Sequence, residues 1–273
     1  AVILERGERI ACRHIILATG GLSYPTTGST GAGYRMAREL GHTIVEPVPS
    51  LVALKCEEKI PDELVGFQLK NVQLSIKVDG ATAFTSGVGE MTFADDGLTG
   101  PLVLSASRTV TRPLHEGRTV KLLLDLKPGL STEQLDRRLQ QDLAANGTRI
   151  FNDALLVVFA LRLWLPAEFI PLALPRQHIE YYKRLHQITG DERRRLCRWL
   201  KEVEFAVCGT HDWPEAIATQ GGVSLAEVNP KTMESRSVRG LYIVGELLDL
   251  DADTGGYNLQ IAFSTGHAAG EAV

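Results

Sequence analysis

Two short apolar runs, each closed by glycine, lie near opposite ends of the chain. His14-Ile15-Ile16-Leu17-Ala18 runs into Thr19-Gly20-Gly21, and Leu241-Tyr242-Ile243-Val244 runs into Gly245-Glu246. A brief unbroken apolar run bounded by turn residues reads as a strand of a parallel sheet covered on both faces. Parallel strands need long crossovers, so both runs fit one α/β domain with other units inserted between them. A central strand also needs neighbours, and a single βαβ unit takes about 30 residues. The expectation is therefore that an earlier strand and helix belong upstream of Ala1, and that the chain is the carboxy-terminal part of a longer protein.

Between the two runs the periodicity changes twice. A helical stretch over 34–40 ends at Gly41, a residue suited to the left-handed cap, and Pro47 and Pro49 mark a boundary. Alternating segments such as 72–78 and 120–125, separated by Gly and Asp turns, predict an antiparallel sheet or barrel. From Ser131 the spacing becomes helical. Ser131 with Gln134 and Thr189 with Glu192 each fit a capping box, and Pro166, Pro171 and Pro175 divide the pieces. The expected units are 1–48 (first part of the α/β domain), 49–128 (inserted β unit), 129–202 (inserted α-helical unit) and 203–273 (return strands and last part of the α/β domain).

Composition narrows the partners. With 44% hydrophobic and 23% charged residues the chain reads as globular. A formal charge of −4 gives no general attraction for nucleic acid or an anionic membrane, so a small-molecule substrate is the expected partner. The longest apolar stretch, 154–165, is broken by Arg162 and falls short of a bilayer span. Four dispersed cysteines, Cys12, Cys56, Cys197 and Cys208, read as reduced thiols of a cytoplasmic protein. The composition does not fix the oligomeric state. The basic run Arg193, Arg194, Arg195, Arg198 and Lys201 reads as a solvated helix face, and Trp164, Trp199 and Trp213 are not interleaved with basic residues.

The chemistry concentrates at the strand ends. Ligands of open α/β sheets bind at the carboxyl ends of strands, where glycine lets the backbone approach closely. Glu246 and Asp249 can accept hydrogen bonds from ribityl or ribose hydroxyls. Gly255 and Gly256 open a helix whose unpaired first amides, near Asn258 to Gln260, would favour negative charge on a reduced flavin ring. The segment Gly28-Ser-Thr-Gly31-Ala-Gly33 follows a loop and reads as a helix-entry turn. Of the seven histidines, His42, His178, His186 and His267 read as surface or packing residues. No metal ligands and no catalytic acid emerge, although Tyr257 and His211 are the nearest candidates.

Three blocks, ATGGLSYPTTGSTGAGYRMARELGH, GEMTFADDGLTGP and AIATQGGVSLAEVNPKTMESRSVRGLYIVGELLDLDADTGGYNLQIAFSTGHAAG, carry a resemblance. Together they resemble the bacterial FAD-dependent flavoproteins of the aminoacetone oxidase and bile-acid-inducible type, over nearly all of residues 15–270. The resemblance implies an α/β fold: an incomplete FAD/NAD(P)-binding Rossmann-like domain with a β-barrel-like and an α-helical insert. It implies FAD contacts at Thr19, Gly20, Gly21, Gly245, Glu246, Asp249, Gly255, Gly256, Tyr257, Asn258, Leu259 and Gln260. It further implies an oxidoreductase, with NAD(P)H as the possible donor and an unidentified small organic substrate or dioxygen as acceptor. The GxGxxG with which that family begins does not occur here. Two other readings stand beside it: a non-catalytic flavoprotein-fold module that binds a partner, and a flavin enzyme of the fumarate-reductase type.

Overall fold

The computed structural model describes residues 1–149, 179–180 and 182–273. The run 154–165, the prolines 166, 171 and 175, Trp164 and His178 lie outside the described residues. In chain order the elements are β1 (Val2–Ile3), β2 (Arg9–Ile10), β3 (Ile15–Leu17), α1 (Ala32–Glu39), β4 (Ile44–Ser50), β5 (Leu54–Cys56), β6 (Gln68–Val78) and β7 (Ala81–Thr85). There follow β8 (Gly89–Phe93), β9 (Gly97–Thr99), α2 (Pro101–His115), β10 (Val120–Asp125) and α3 (Thr132–Ala145). After the undescribed stretch come α4 (Gly190–Lys201), β11 (Val203–Thr210), β12 (Ala218–Val223), β13 (Leu241–Ile243) and α5 (Tyr257–Ala272). The chain divides into two compact units: Ala1–Ala53, Leu104–His115 and Thr210–Val273 form one, and Leu54–Val103 with Glu116–Gly209 form the other.

The second unit is built on a barrel. Strand order β10-β11-β5-β9-β8-β6 is closed by an antiparallel β6–β10 pairing, and β7 adds to one edge of β6. Closure removes the exposed edges of a sheet. Apolar side chains alternate inward along β6, where Val72, Leu74, Ile76 and Val78 are buried, and Phe93 and Phe205 meet at 6.3 Å between ring centroids. The ladder of β6 with β8 shifts between Leu69 and Val72, with Asn71 at φ +55. That bulge keeps both Leu69 and Val72 inward, although they stand an odd number of positions apart.

α3 and α4 pack against each other, and both start in the expected capping boxes: Ser131 Oγ accepts from Gln134 N–H, and Thr189 Oγ1 from Glu192 N–H. The basic run of α4 is not simply solvated. Arg193 grips Asp136 of α3 through Nε (2.7 Å) and Nη2 (3.1 Å), and Lys201 pairs with Asp125 at 2.6 Å.

The first unit holds the two glycine-closed runs side by side. β3 and β13 pair in parallel, Ile15 with Leu241 through Leu17 with Ile243. Both runs share one parallel sheet, as parts of one α/β domain should. Tyr242 and its neighbours in β13 are buried, whereas Ile16 is 41% exposed and the second edge of β3 has no strand beside it among the described residues. The core gathers Tyr34 and Ala37 of α1, Val223, β13, Leu247, Leu248 and Ala269 of α5.

Three further expectations change. Pro47 and Pro49 lie inside β4, which pairs only with β12 among the described residues. A strand with one free edge tolerates residues lacking an N–H donor. The stretch 101–115, read within a continuous β unit, is a helix. Its N-terminal proline follows Gly100 at φ +92, and Val103, Ala106, Ser107, Val110 and Thr111 form its buried stripe. Finally β11, expected to return to the α/β domain, pairs with β10 from Val120↔Val207 to Leu124↔Val203 and so completes the barrel.

Candidate functional site: two glycine loops beside a helix start

Because β3 and β13 run parallel, the loops following them emerge together. Val244 N–H donates to the Leu17 carbonyl at 3.1 Å, which fixes the point where the loops leave the sheet. From there the Thr19–Gly21 loop is clamped by residues some 200 positions away. Thr219 Oγ1 accepts from the N–H of Leu22 (2.8 Å) and of Ser23 (3.2 Å). One Glu246 oxygen, Oε1, accepts from Ser23 Oγ (2.7 Å) and from Thr219 N–H (2.6 Å). A Cβ on Gly21 would lie 2.3 Å from Thr219 Oγ1 and 2.8 Å from Glu246 Oε1, so only glycine fits. Tyr34 donates its hydroxyl to the Glu246 carbonyl at 3.2 Å; burial, then the Glu246 charge, hold its phenol well above the ordinary range, so it stays a donor.

The 28–33 segment is a helix-entry turn. Gly31 is the N-cap of α1, and the Gly33 backbone abuts Thr19, where a Cβ would sit 2.0 Å from Thr19 Oγ1.

The second loop, 245–256, is braced by side chains of β4, α2 and α5. Gly245 N–H donates to Thr265 Oγ1 at 2.9 Å. Arg108 Nε reaches Asp251 Oδ2 (2.8 Å), its Nη1 reaches Asp253 Oδ1 (2.7 Å), and its Nη2 reaches the Asp251 carbonyl (2.9 Å). Ser50 Oγ donates to the same Asp251 carboxylate at 2.7 Å. Burial works against the charge on Arg108, but the two carboxylates outweigh it and raise its pKa. Asn258 bonds Ala252 twice, accepting from its N–H and donating to its carbonyl, each at 2.9 Å.

Gly256, in the left-handed conformation, caps α5 without any side-chain bond, and no acidic residue lies in the first turn. The first backbone bond of α5 is Gln260 N–H to the Gly256 carbonyl, which leaves the amides of Tyr257, Asn258 and Leu259 unpaired within the helix. Tyr257, Leu259 and Phe263 are all more than half exposed. Asp249 is half-buried, and burial raises its carboxyl pKa against the opposing pull of Arg112. Nearby on β12, Gln220 donates through Nε2 to the Arg108 carbonyl (3.2 Å), while its Oε1 is buried without a donor among the described residues.

The predicted residues therefore fall into two groups. Thr19, Gly20, Gly21, Gly245 and Glu246 meet at the strand ends; Asp249 and Gly255 through Gln260 form the braced loop and the helix start. Asn258 spends its side chain on Ala252, and Gln260 donates to Ser264 Oγ at 2.9 Å. His211 pairs with Glu215. Ser23, Arg108, Thr219 and Gln220 escaped sequence reasoning. The one signal for Thr219 and Gln220 was their place before Gly221-Gly222, whose positive φ angles mark a bulge in β12. Among the described residues no group of three or more His, Cys, Asp or Glu could hold a metal, and no helix is long and apolar enough to cross a membrane.

Comparison with known proteins returns one family and several curated relatives with two different names. The model of the HI0933-like protein Rossmann domain matches residues 1–272. The chain is 32% identical over 274 residues to the 3-dehydro-bile acid delta(4,6)-reductase of Clostridium scindens, covering 99% of this chain and 64% of that protein. It is 30% identical to the ribosomal RNA dihydrouridine synthase of Haemophilus influenzae (94% of this chain, 59% of that one) and 28% identical to that of Escherichia coli (97% and 62%). The chain thus spans about three-fifths of the length of these curated relatives. A parallel strand pair ending in two clamped glycine loops, together with a family match across residues 1–272, identifies the chain as a member of the FAD-binding HI0933-like Rossmann domain family.

Proposed function

We propose that this chain carries the flavin-ring side of an FAD-dependent oxidoreductase that moves hydride from a reduced nicotinamide to a small organic acceptor. The observation that carries the reading is the convergence of two glycine loops, at the carboxyl ends of adjacent parallel strands, with a helix start that has no side-chain cap. The residues suit a flavin. The buried Gln220 Oε1 needs a donor, the first amides of α5 need acceptors, and Tyr257 and Leu259 offer apolar surface. FAD, when bound, supplies two-electron chemistry between donor and acceptor.

The chain's own part is to bind and orient. Gly20 and Gly21 admit close backbone approach, and Asp249 accepts hydroxyls. The first turn of α5 favours negative charge. The Arg108 and Asn258 braces keep that turn in place.

The relatives' names support a reductase. One is named as a reductase and the other by a dihydro product, and we assign this chain the same class of reaction, addition of hydrogen to an unsaturated acceptor. They differ in substrate size, and a net charge of −4 favours the small molecule over RNA. Four free thiols support a cytoplasmic setting.

The test is spectroscopic. The protein carrying this chain, reconstituted with FAD, is expected to show oxidised-flavin absorbance that bleaches anaerobically with NAD(P)H. A colourless protein after reconstitution overturns the flavin reading. A bound flavin that stays oxidised overturns the enzymatic reading and leaves a non-catalytic module.

A further inference from the structure

We infer that one end of the barrel carries a binding pocket for an amphipathic anion, a molecule with one acidic head on an apolar body. The pocket uses only residues of the second unit and is argued independently of the flavin. It is a cavity of about 670 Å³ between the β6 bulge and the loop joining β10 to α3, within the range of small-molecule sites. Phe67, Leu69, Leu126 and Leu130 supply apolar wall, and every charged side chain that lines it is a cation: Lys70, Lys127 and Arg138.

Lys127 is the group that calls for a ligand. It is half-buried, and its amine has no hydrogen-bond or ion-pair partner among the described residues. Burial, then the Arg138 charge, push its pKa below the ordinary lysine range. A desolvated ammonium is unfavourable until an anion joins it. The nearest carboxylate is already engaged: Asp125 pairs with Lys201 at 2.6 Å and accepts the Lys127 backbone N–H at 2.8 Å. Lys70 lies 3.7 Å from Glu90, an exposed contact that leaves it at the rim.

The pocket is built in advance. Lys201 donates to the carbonyls of Lys127 (3.0 Å) and Leu130 (2.8 Å), and Leu126 N–H donates to the Leu200 carbonyl at 2.9 Å, so α4 holds the loop from behind. Opposite, the β6–β8 ladder is interrupted between Leu69 and Val72. With the loop wall held from behind, less ordering of that side remains for a ligand to oppose.

The experiment uses three probes on the whole protein, followed by titration calorimetry. They are 1-anilinonaphthalene-8-sulfonate, the uncharged N-phenyl-1-naphthylamine with the same skeleton, and inorganic phosphate. The sulfonate is expected to bind at one site and at least tenfold more tightly than either the neutral skeleton or phosphate. Lys127→Met should weaken the sulfonate at least tenfold and leave the neutral probe unchanged, while Lys59→Met, an exposed lysine of the same unit, should change neither. Equal affinity for the charged and neutral probes overturns the anion assignment, and equal affinity for phosphate overturns the amphipathic one. If Lys127→Met loses its folded circular-dichroism signal, Lys127→Gln gives the same comparison, and the three-probe ranking on the unaltered protein decides without any variant.

Discussion

Each of the six barrel strands has a hydrogen-bonded neighbour on both edges, whereas β3 and β4 of the α/β unit each have one among the described residues. The barrel is held by backbone ladders around a core with Phe93, Phe205 and Leu98 almost wholly buried. In the α/β unit the decisive bonds run from side chains to loops: Thr219 to Leu22, Glu246 to Ser23, Arg108 to Asp251, Asn258 to Ala252. One unit is specified by periodic apolar burial and the other by a few polar groups placed far apart in sequence. Stability and function are thus expected to respond to different substitutions in the two units.

The strongest way to break this contrast is Phe205→Ala. If packing dominates the barrel, removing a ring buried against Phe93 destabilises it by about 3–5 kcal/mol, read by urea denaturation. A cost below about 1 kcal/mol would mean the ladders alone suffice.

The next is Gly21→Ala. A single methyl driven onto Thr219 and Glu246 is expected to cost about 1–3 kcal/mol and to weaken flavin binding tenfold or more. Gly87→Ala, whose added Cβ meets open space, should do neither. Flavin titration that finds the two variants alike would remove the clamp from the site.

The smallest effect sharpens the account of α3 and α4. The Arg193 bonds hold the Asp136 carboxyl below its ordinary range despite partial burial. Its contribution to stability is therefore full above the unfolded pKa of about 3.9 and disappears as pH falls through the lower folded value. Asp136→Asn should lower the melting temperature at neutral pH, by an amount corresponding to about 1 kcal/mol or less, and match the parent once the pH is below the folded value. A gap that persists in acid would point to packing instead of charge.

What could be read in the chain beforehand follows the same division. The two strand-end glycine loops, the alternation along β6 and both capping boxes depend on neighbours within a dozen residues, and the folded chain has them where the sequence places them. The Ser23–Thr219–Glu246 clamp did not show, because its members are separated by 196 and 223 positions. Nor did β11 in the barrel, since strand pairing is a choice between partners that local pattern leaves open. The α2 helix was hidden by a stripe of small and hydroxylated residues, Ala106, Ser107 and Thr111, that does not stand out as apolar.

Lys201, the last residue of α4, reaches back to Asp125, Lys127 and Leu130, which makes the helix a ruler. Each residue inserted between Thr189 and Lys201 would turn the ammonium by about 100° and advance it about 1.5 Å, releasing the loop it holds. The length of α4 is therefore fixed in whole turns by a loop from a different part of the chain, while the identity of its exposed residues is free to drift.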